Sequence, residues 1–397
     1  MRTNTALLSL SVGAFAIGAT EFSPMGMLPE IAGSLAVSIP TAGMLVVVYA
    51  LGVMLGAPIM TLLLIKRSPK AALIFLMSIF TLGNILSALS PNYEMLLIAR
   101  FITSLNHGAF FGIGAMVATR VVAKGKEAGA IAGMFMGLTI ANIGGVPAIT
   151  RLSQLLGWRE SFFMISILGL VTMVTMVALL RALPRNMQGQ ELNLRRELQV
   201  LIRPAVLLAM LCTVLGASAM FTFYTYISPS LMFISGVPEA QISIMLVLVG
   251  LGFTLGNYLG GVWANRSVSR TLYGLFTLLA LTMVLFPMVA SDSVTAGVML
   301  VVWGLASFGI VPPLQVKVMQ VASEAQALAS SVNIGAFNLG NAIGAALGAS
   351  VLANGGDYSA VSYAGAAVAA GGLIILQVTL RQAKRQRVMK VKHCTEN

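Results

Sequence analysis

The chain has 397 residues, of which 58% are hydrophobic and only 9% charged, with a formal net charge of +12. A soluble globular protein carries about 25% charged residues, so this composition excludes an ordinary soluble domain architecture. The positive excess does not indicate nucleic acid binding, because the basic residues sit in alternate gaps between long apolar runs.

Spanning a bilayer takes about 20 apolar residues. Proline, glycine and charge divide the chain into twelve segments of that kind. They cover 6–31, 41–65, 71–89, 94–119, 128–151 and 159–181, then 204–234, 239–264, 271–290, 295–318, 327–353 and 359–380. The expected fold class is an all-α membrane protein with twelve transmembrane helices in two six-helix bundles. Residues 1–181 form the N-terminal bundle, 182–203 a linker, 204–380 the C-terminal bundle and 381–397 a basic tail. The N-terminal run is too long for the apolar core of a signal peptide and lacks a clean small-residue cleavage site, so it reads as the first span.

All but three of the 24 Lys and Arg residues fall on one side of this layout, Lys317 among them; the three are Arg100, Arg151 and Arg159. The opposite loops carry Glu30, Glu94, Glu239, Asp292 and Asp357. The positive-inside rule then places both termini and the linker in the cytoplasm. The linker's ELNLRRELQVL stretch fits either an amphipathic helix lying on anionic lipid or a solvated tether. Cys212 and Cys394 provide no disulfide framework.

Glu21 stands in the middle of the first span, where an ionisable group costs about 2.5–3.5 kcal/mol on insertion scales. Arg100, Asn106 and His107 stand in the fourth, within LLIARFITSLNHGAFFGIG at 96–114. At 1.5 Å per residue, Arg100 lies about 9 Å and Glu21 about 8 Å from the same side of a ~30 Å core. An acid and a base at one depth can pair or be coupled through a cavity. The competing reading is that Arg100 snorkels to the interface.

The halves look related. An offset of 199 residues carries Lys66-Arg67 onto Asn265-Arg266, Asn142 onto Asn341 and Gly145 onto Gly344. The loop GGVWANRSVSR (260–270) and its weaker copy GAPIMTLLLIKRSPK (56–70) read as gating loops. In them Asn265, Arg266 and Arg270, and Lys66 and Arg67, would tie loop to helix ends. The bland reading is that both loops only set topology. Span 5 holds Gly144, Gly145 and Pro147, which permit close packing and a bend. Span 11 holds Asn333, Asn338 and Asn341, suited to helix–helix hydrogen bonding or to cavity lining. The sequence has no nucleotide-binding loop, no metal-ligand spacing and no Ser/His/Asp arrangement. Hence no metal, no cofactor and no enzyme activity are expected.

The stretches TEFSPMGMLPEIA (20–32), RFITSLNHGAFFG (100–112), ANIGGVP (141–147), GWRESFF (157–163) and NIGAFNLGNAIGAALG (333–348) resemble the major facilitator superfamily. Within it they are similar to the drug:proton antiporter branch and the arabinose-efflux-like permeases. The first loop motif has no carboxylate here, and span 5 has Ala141-Asn142 where those families carry Gly-Pro. The resemblance implies two bundles rocking about a central cavity, with export of small organic molecules such as sugars, nucleosides or drugs driven by the proton gradient. It implies that Glu21 and Arg100 take part in proton coupling or substrate binding, and His107 beside them is a further expected proton-coupling residue. Substrate contacts are expected among Tyr49, Asn106, Phe111, Asn142, Tyr224, Tyr226, Asn333, Phe337 and Asn338. The expected partners are the small-molecule substrate, protons and membrane lipids, with no nucleic acid, and the expected state is a monomer in a bacterial inner membrane. An uptake symporter of the same fold, or a non-transporting membrane sensor, would share these features. The topology is tested by single cysteines: those in 33–40 and 354–358 should react with an impermeant thiol reagent from outside, and one at position 190 should stay unlabelled.

Overall fold

The computed structural model describes residues 2–64, 67–122, 127–180 and 199–395. Their regular structure is helical. Span 1 is Arg2–Ser34, span 2 Ile39–Leu64, span 3 Pro69–Ala88 and span 6 Trp158–Leu179. Spans 11 and 12 are Gln326–Ala353 and Tyr358–Thr395, the latter running on into the basic tail. Helices this apolar satisfy their backbone groups internally, as a bilayer requires. Large apolar side chains such as Leu63, Val174, Met288 and Ile374 stay exposed on the outer surface, where lipid replaces water.

The remaining spans are interrupted, each for a local reason. Span 4 divides into Tyr93–Ser104 and His107–Arg120. The Asn106 amide donates to the Thr103 carbonyl at that break, occupying an acceptor at the interruption. Span 5 passes from Glu127–Ile140 through a π turn, Ala141–Gly145, into Val146–Leu156. Span 7 divides into Pro204–Tyr224 and Ile227–Ser235, and span 10 into Ser293–Gly309 and Val311–Val321. Pro147, Pro229, Pro312 and Pro313 follow these three interruptions. Each lacks the N–H that would bond four residues back.

Residues Glu239–Val289 form one apolar segment of 51 residues. A single helix of that length would be about 76 Å long, more than twice the hydrocarbon thickness. The helix Ile242–Val289 instead turns at Ser267, the one residue with extended backbone (φ −166°, ψ 105°). Spans 8 and 9 meet there, which makes twelve crossings. A loop of several residues was expected at 265–270, tied by side chains. Ser267 does the capping instead, its hydroxyl accepting from the Arg270 N–H at 3.4 Å. Asn265, Arg266 and Arg270 are exposed, and their side chains form no hydrogen bond or ion pair among the described residues. The single-residue turn leaves no loop for them to tie. Arg67 is also exposed; Lys66 lies outside the described residues, as do 181–198 of the linker.

Lys317 also departs from expectation. Counted with the basic residues of one membrane side, it lies inside Val311–Val321 and is buried, because neighbouring helices cover that face of span 10. The linker's last residues dock nearby. Val200 and Leu201 are buried in a cluster with Val206, Met210, Val318 and Ala322. Arg203 forks onto Glu324 at 2.7 and 3.0 Å, joining the start of span 7 to the turn before span 11.

Each bundle has its own buried cluster, one around Leu10, Leu73, Phe80, Phe110 and Phe162 and one around Phe221, Phe223, Phe276, Met283 and Trp303. The second extends across the seam to Phe22, Met25, Val46 and Ala50 of the first bundle. Close backbone approach sets much of the helix packing. A Cβ at Gly250 would meet the Asn142 carbonyl across the seam, and one at Gly256 would meet the backbone of Leu305 in span 10. At the end opposite the linker, Leu28, Ala32, Ala42, Tyr226, Ala349 and Val361 form a seal between the bundles. The Tyr226 hydroxyl donates to the Ala345 carbonyl at 3.0 Å, and Gln154 donates to the Glu239 carbonyl at 2.7 Å. Overpacking a core costs about 1–3 kcal/mol. Gly256→Val, pressed against Leu305, is expected to lower the unfolding temperature in detergent, whereas Gly261→Val, which meets nothing within 4 Å, is not.

Candidate functional site

The site begins at two adjacent residues of span 1. Neighbours on a helix point about 100° apart, so Thr20 and Glu21 address different partners. Thr20 turns toward span 3, where its hydroxyl donates to Asn84 Oδ1 at 2.8 Å. The Asn84 amide is held in turn by donating to the Phe80 carbonyl at 2.9 Å. Arg100 donates from Nη1 to Thr20 Oγ1 at 3.1 Å. Its guanidinium lies 4.2 Å over the Tyr49 ring and 5.7 Å from that of Phe162. Cation–π contact of this kind is stronger when desolvated. Arg100 is fully buried, so it does not snorkel. Its Nε and Nη2 have no hydrogen-bond partner among the described residues.

Glu21 turns toward the second piece of span 4. Its Oε2 lies 3.9 Å from His107 Nε2, and the other ring nitrogen of His107 lies 3.3 Å from the Tyr49 hydroxyl. Direct pairing of Glu21 with Arg100 was one expectation from the sequence. The contact within ion-pair distance is with His107 instead, because Arg100 is drawn to Thr20 on the neighbouring face. Glu21, Tyr49 and Arg100 remain within electrostatic reach of one another. The group thus runs from Glu21 through His107, Tyr49 and Arg100 to Thr20 and Asn84, and it joins spans 1, 2, 3 and 4.

Other sequence-selected residues surround it. Phe111 lies one turn beyond His107, with ring centroids 5.2 Å apart, and stacks on Phe135 at 4.9 Å. Asn106 keeps a buried Oδ1 without a partner among the described residues. Tyr224 belongs to the facing wall, 5.9 Å from Phe22 and 5.7 Å from Trp303. Phe337 joins that wall through Phe221 at 5.9 Å. Asn142 and Asn338 each donate to the carbonyl four residues back, at 3.0 Å, and each leaves Oδ1 without a partner among the described residues. Asn333 donates to Gln315 at 2.6 Å. Tyr226 stands apart, in the seal.

Sequence reasoning passed over Thr20, Asn84 and Phe162, which hold Arg100, and Phe22, Phe253, Trp303 and Phe308 in the aromatic wall. Asn84 carried a usable signal, being an amide inside an otherwise apolar span. The aromatic residues carried none, since apolar side chains within spans are ordinary. Removing one partner of a buried hydrogen bond costs about 1–3 kcal/mol, the penalty of the polar group left unsatisfied. Asn84→Leu is therefore expected to destabilise the protein by an amount in that range in detergent unfolding, and Leu82→Asn, on an exposed position of the same helix, should not reproduce it.

Comparison with known proteins places the geometry in context. Residues 10–334 match the family model described as the Major Facilitator Superfamily. The chain is 55% identical to the "Inner membrane transport protein YdhP" of Escherichia coli (strain K12) over 96% of this chain and 97% of that one. It is 34% identical to the "Putative transporter AraJ" of the same strain, over 96% of each chain. Among solved structures, a bacterial homolog of the human lysosomal transporter Spinster superposes with TM-score 0.73 at 16% identity, covering 95% of both chains. The nucleoside transporter NupG superposes with TM-score 0.77 at 14% identity, covering 95% of this chain and 99% of that one.

Proposed function

The chain belongs to the major facilitator superfamily and is a membrane transporter, and from that premise we propose that it exports small organic molecules across a bacterial inner membrane in exchange for protons. The observation that carries this reading is Glu21, a buried carboxyl with His107 at 3.9 Å and Arg100 in electrostatic reach. Loss of water favours the neutral form of any carboxyl, and a nearby cation favours the charged form. Rocking of the bundles opens and closes the water path to this group, so its hydration, and with it the proton affinity of Glu21, differs between the two facing states. Arg100 is fixed to span 1 through Thr20, so Glu21 and this charge travel together within the N-terminal bundle and it is the hydration around them that changes. A proton enters from the opposite side and leaves toward the cytoplasm, and the solute takes the reverse path. Both termini are cytoplasmic in this scheme.

The solute is held between the charged wall of the N-terminal bundle and the aromatic wall of the C-terminal bundle. Tyr49, Asn106, Phe111, Tyr224, Asn333, Phe337 and Asn338 are the contacts assigned to it. Aromatic faces with a few placed amides suit neutral, partly apolar molecules, a class that includes sugars, nucleosides and many drugs. The uncharged majority of the wall leaves the proton as the coupling charge.

The test is transport in proteoliposomes with an imposed proton gradient. Glu21→Gln should abolish concentrative transport while sparing counterflow of a labelled solute. Arg100→Ala should reduce the rate by about tenfold or more, the loss expected from removing one charge-assisted interaction, and shift its pH dependence. Concentrative transport by Glu21→Gln with an unchanged pH profile would refute the coupling role.

A further inference from the structure

A crevice of ≈ 650 Å³ lies just outside the seal, at the end of the molecule opposite the linker. It is an open depression, so an occupant would keep part of its surface in solvent. Its lining comes from both bundles. Ile39 and Pro40 at the start of span 2 form one side, and Phe233, Asp357, Tyr358 and Ser359 belong to the other. Ile39 and Tyr358 also pack on the seal cluster. The crevice is therefore a property of the closed seam: separating the bundles carries its two walls apart.

The chemistry of the lining is specific. Phe233 and Tyr358 stack with centroids 5.1 Å apart and planes inclined by 17°, joining the end of span 7 to the start of span 12. Phe233 is 69% exposed, so an aromatic face is open to a ligand. The one charged side chain in the lining is Asp357. Its Oδ1 caps span 12 by accepting from the Ala360 N–H at 2.8 Å, and its other oxygen takes no hydrogen bond from the described residues. No lysine or arginine lines the crevice. A carboxylate beside open aromatic faces, with no competing cation, selects a positively charged ligand with a planar apolar body, through ion pairing and cation–π contact.

We propose that this crevice binds organic cations of drug size, and that an occupant stabilises the arrangement in which the seal is closed. A ligand that needs both walls shifts the conformational equilibrium by its differential affinity for the closed state. The effect on transport rests on the exchange mechanism above, whereas the binding does not. The site is distinct from the group around Glu21, and its ligands need not be transported.

The experiment titrates purified protein with thioflavin T, a planar cation whose fluorescence rises when it is immobilised, and with the anion 1-anilinonaphthalene-8-sulfonate for comparison. Saturable thioflavin T binding is expected, weakened tenfold or more by Asp357→Asn and by Tyr358→Ala. Asparagine also caps helices well, so Asp357→Asn keeps span 12 capped and removes only the charge. Gly43→Phe provides the conformational arm, since a side chain there meets the Tyr226 phenol within the seal; it should abolish binding while leaving the protein monodisperse. Equal affinity of wild type and Asp357→Asn, or absence of saturable binding, overturns the site. Full affinity in Gly43→Phe overturns its dependence on the seal. Failure of thioflavin T to slow solute exchange, with binding intact, would count against the exchange mechanism and leave the site standing.

Discussion

The N-terminal bundle is organised around one energetic problem, the placement of a guanidinium in an apolar helical sheath. Among the described residues Arg100 has no carboxylate within ion-pair distance. Its charge is met by the Thr20 hydroxyl, by the faces of Tyr49 and Phe162, and through Thr20 by Asn84. Those residues belong to spans 1, 2, 3 and 6. Stranding a buried charge costs several kcal/mol, so the register of these spans against span 4 is constrained by where the guanidinium must find its partners. Glu21 inherits its position from the same constraint, since its neighbour Thr20 is committed to Arg100.

Among the described residues the inner wall of the C-terminal bundle carries no such charge; the bundle's buried cation, Lys317, lies beside the cluster where the linker docks. The inner wall is built from Phe221, Tyr224, Phe253, Trp303 and Phe308, which pack ring against ring at centroid separations of 4.0 to 6.1 Å. Phe22 of span 1 reaches across to Tyr224 and Phe308, so the aromatic wall begins one residue from the acidic group. The two halves share six spans each and several repeated small and amide residues, yet their inner surfaces are chemically unlike. This division fits a transporter in which one bundle manages the proton and the other offers a tolerant surface to the solute.

Helix interruptions follow the same economy. Spans 4, 5, 7 and 10 are broken or wound into a π turn, and the breaks stand beside the residues discussed here. His107 opens the second piece of span 4, Asn142 lies in the π turn, and Tyr226 lies at the break in span 7. An interruption frees backbone groups, redirects side chains and gives a helix a place to bend. In a membrane such freedom is tolerated only where protein or a cavity surrounds it. Span 3, span 6 and span 12, by contrast, are uninterrupted.

Hydropathy and punctuation were enough to determine the twelve crossings, because a bilayer imposes length and apolarity on each segment independently. The same local rule exposed Glu21, Arg100 and His107, which are conspicuous wherever they fall in an apolar run. Tertiary structure alone decided how they combine. Which of two adjacent side chains on span 1 meets Arg100, and that Glu21 meets His107, depends on the rotation of one helix against another, set by contacts between residues 64 and 80 positions apart. The burial of Lys317 was likewise hidden, because it depends on which helices cover that face of span 10; so was the single-residue turn at Ser267, because a helix end in sequence is marked by composition, whereas in the fold it is marked by where neighbouring spans stop supporting it. Composition is a property of each segment; partnership is a property of the packed whole.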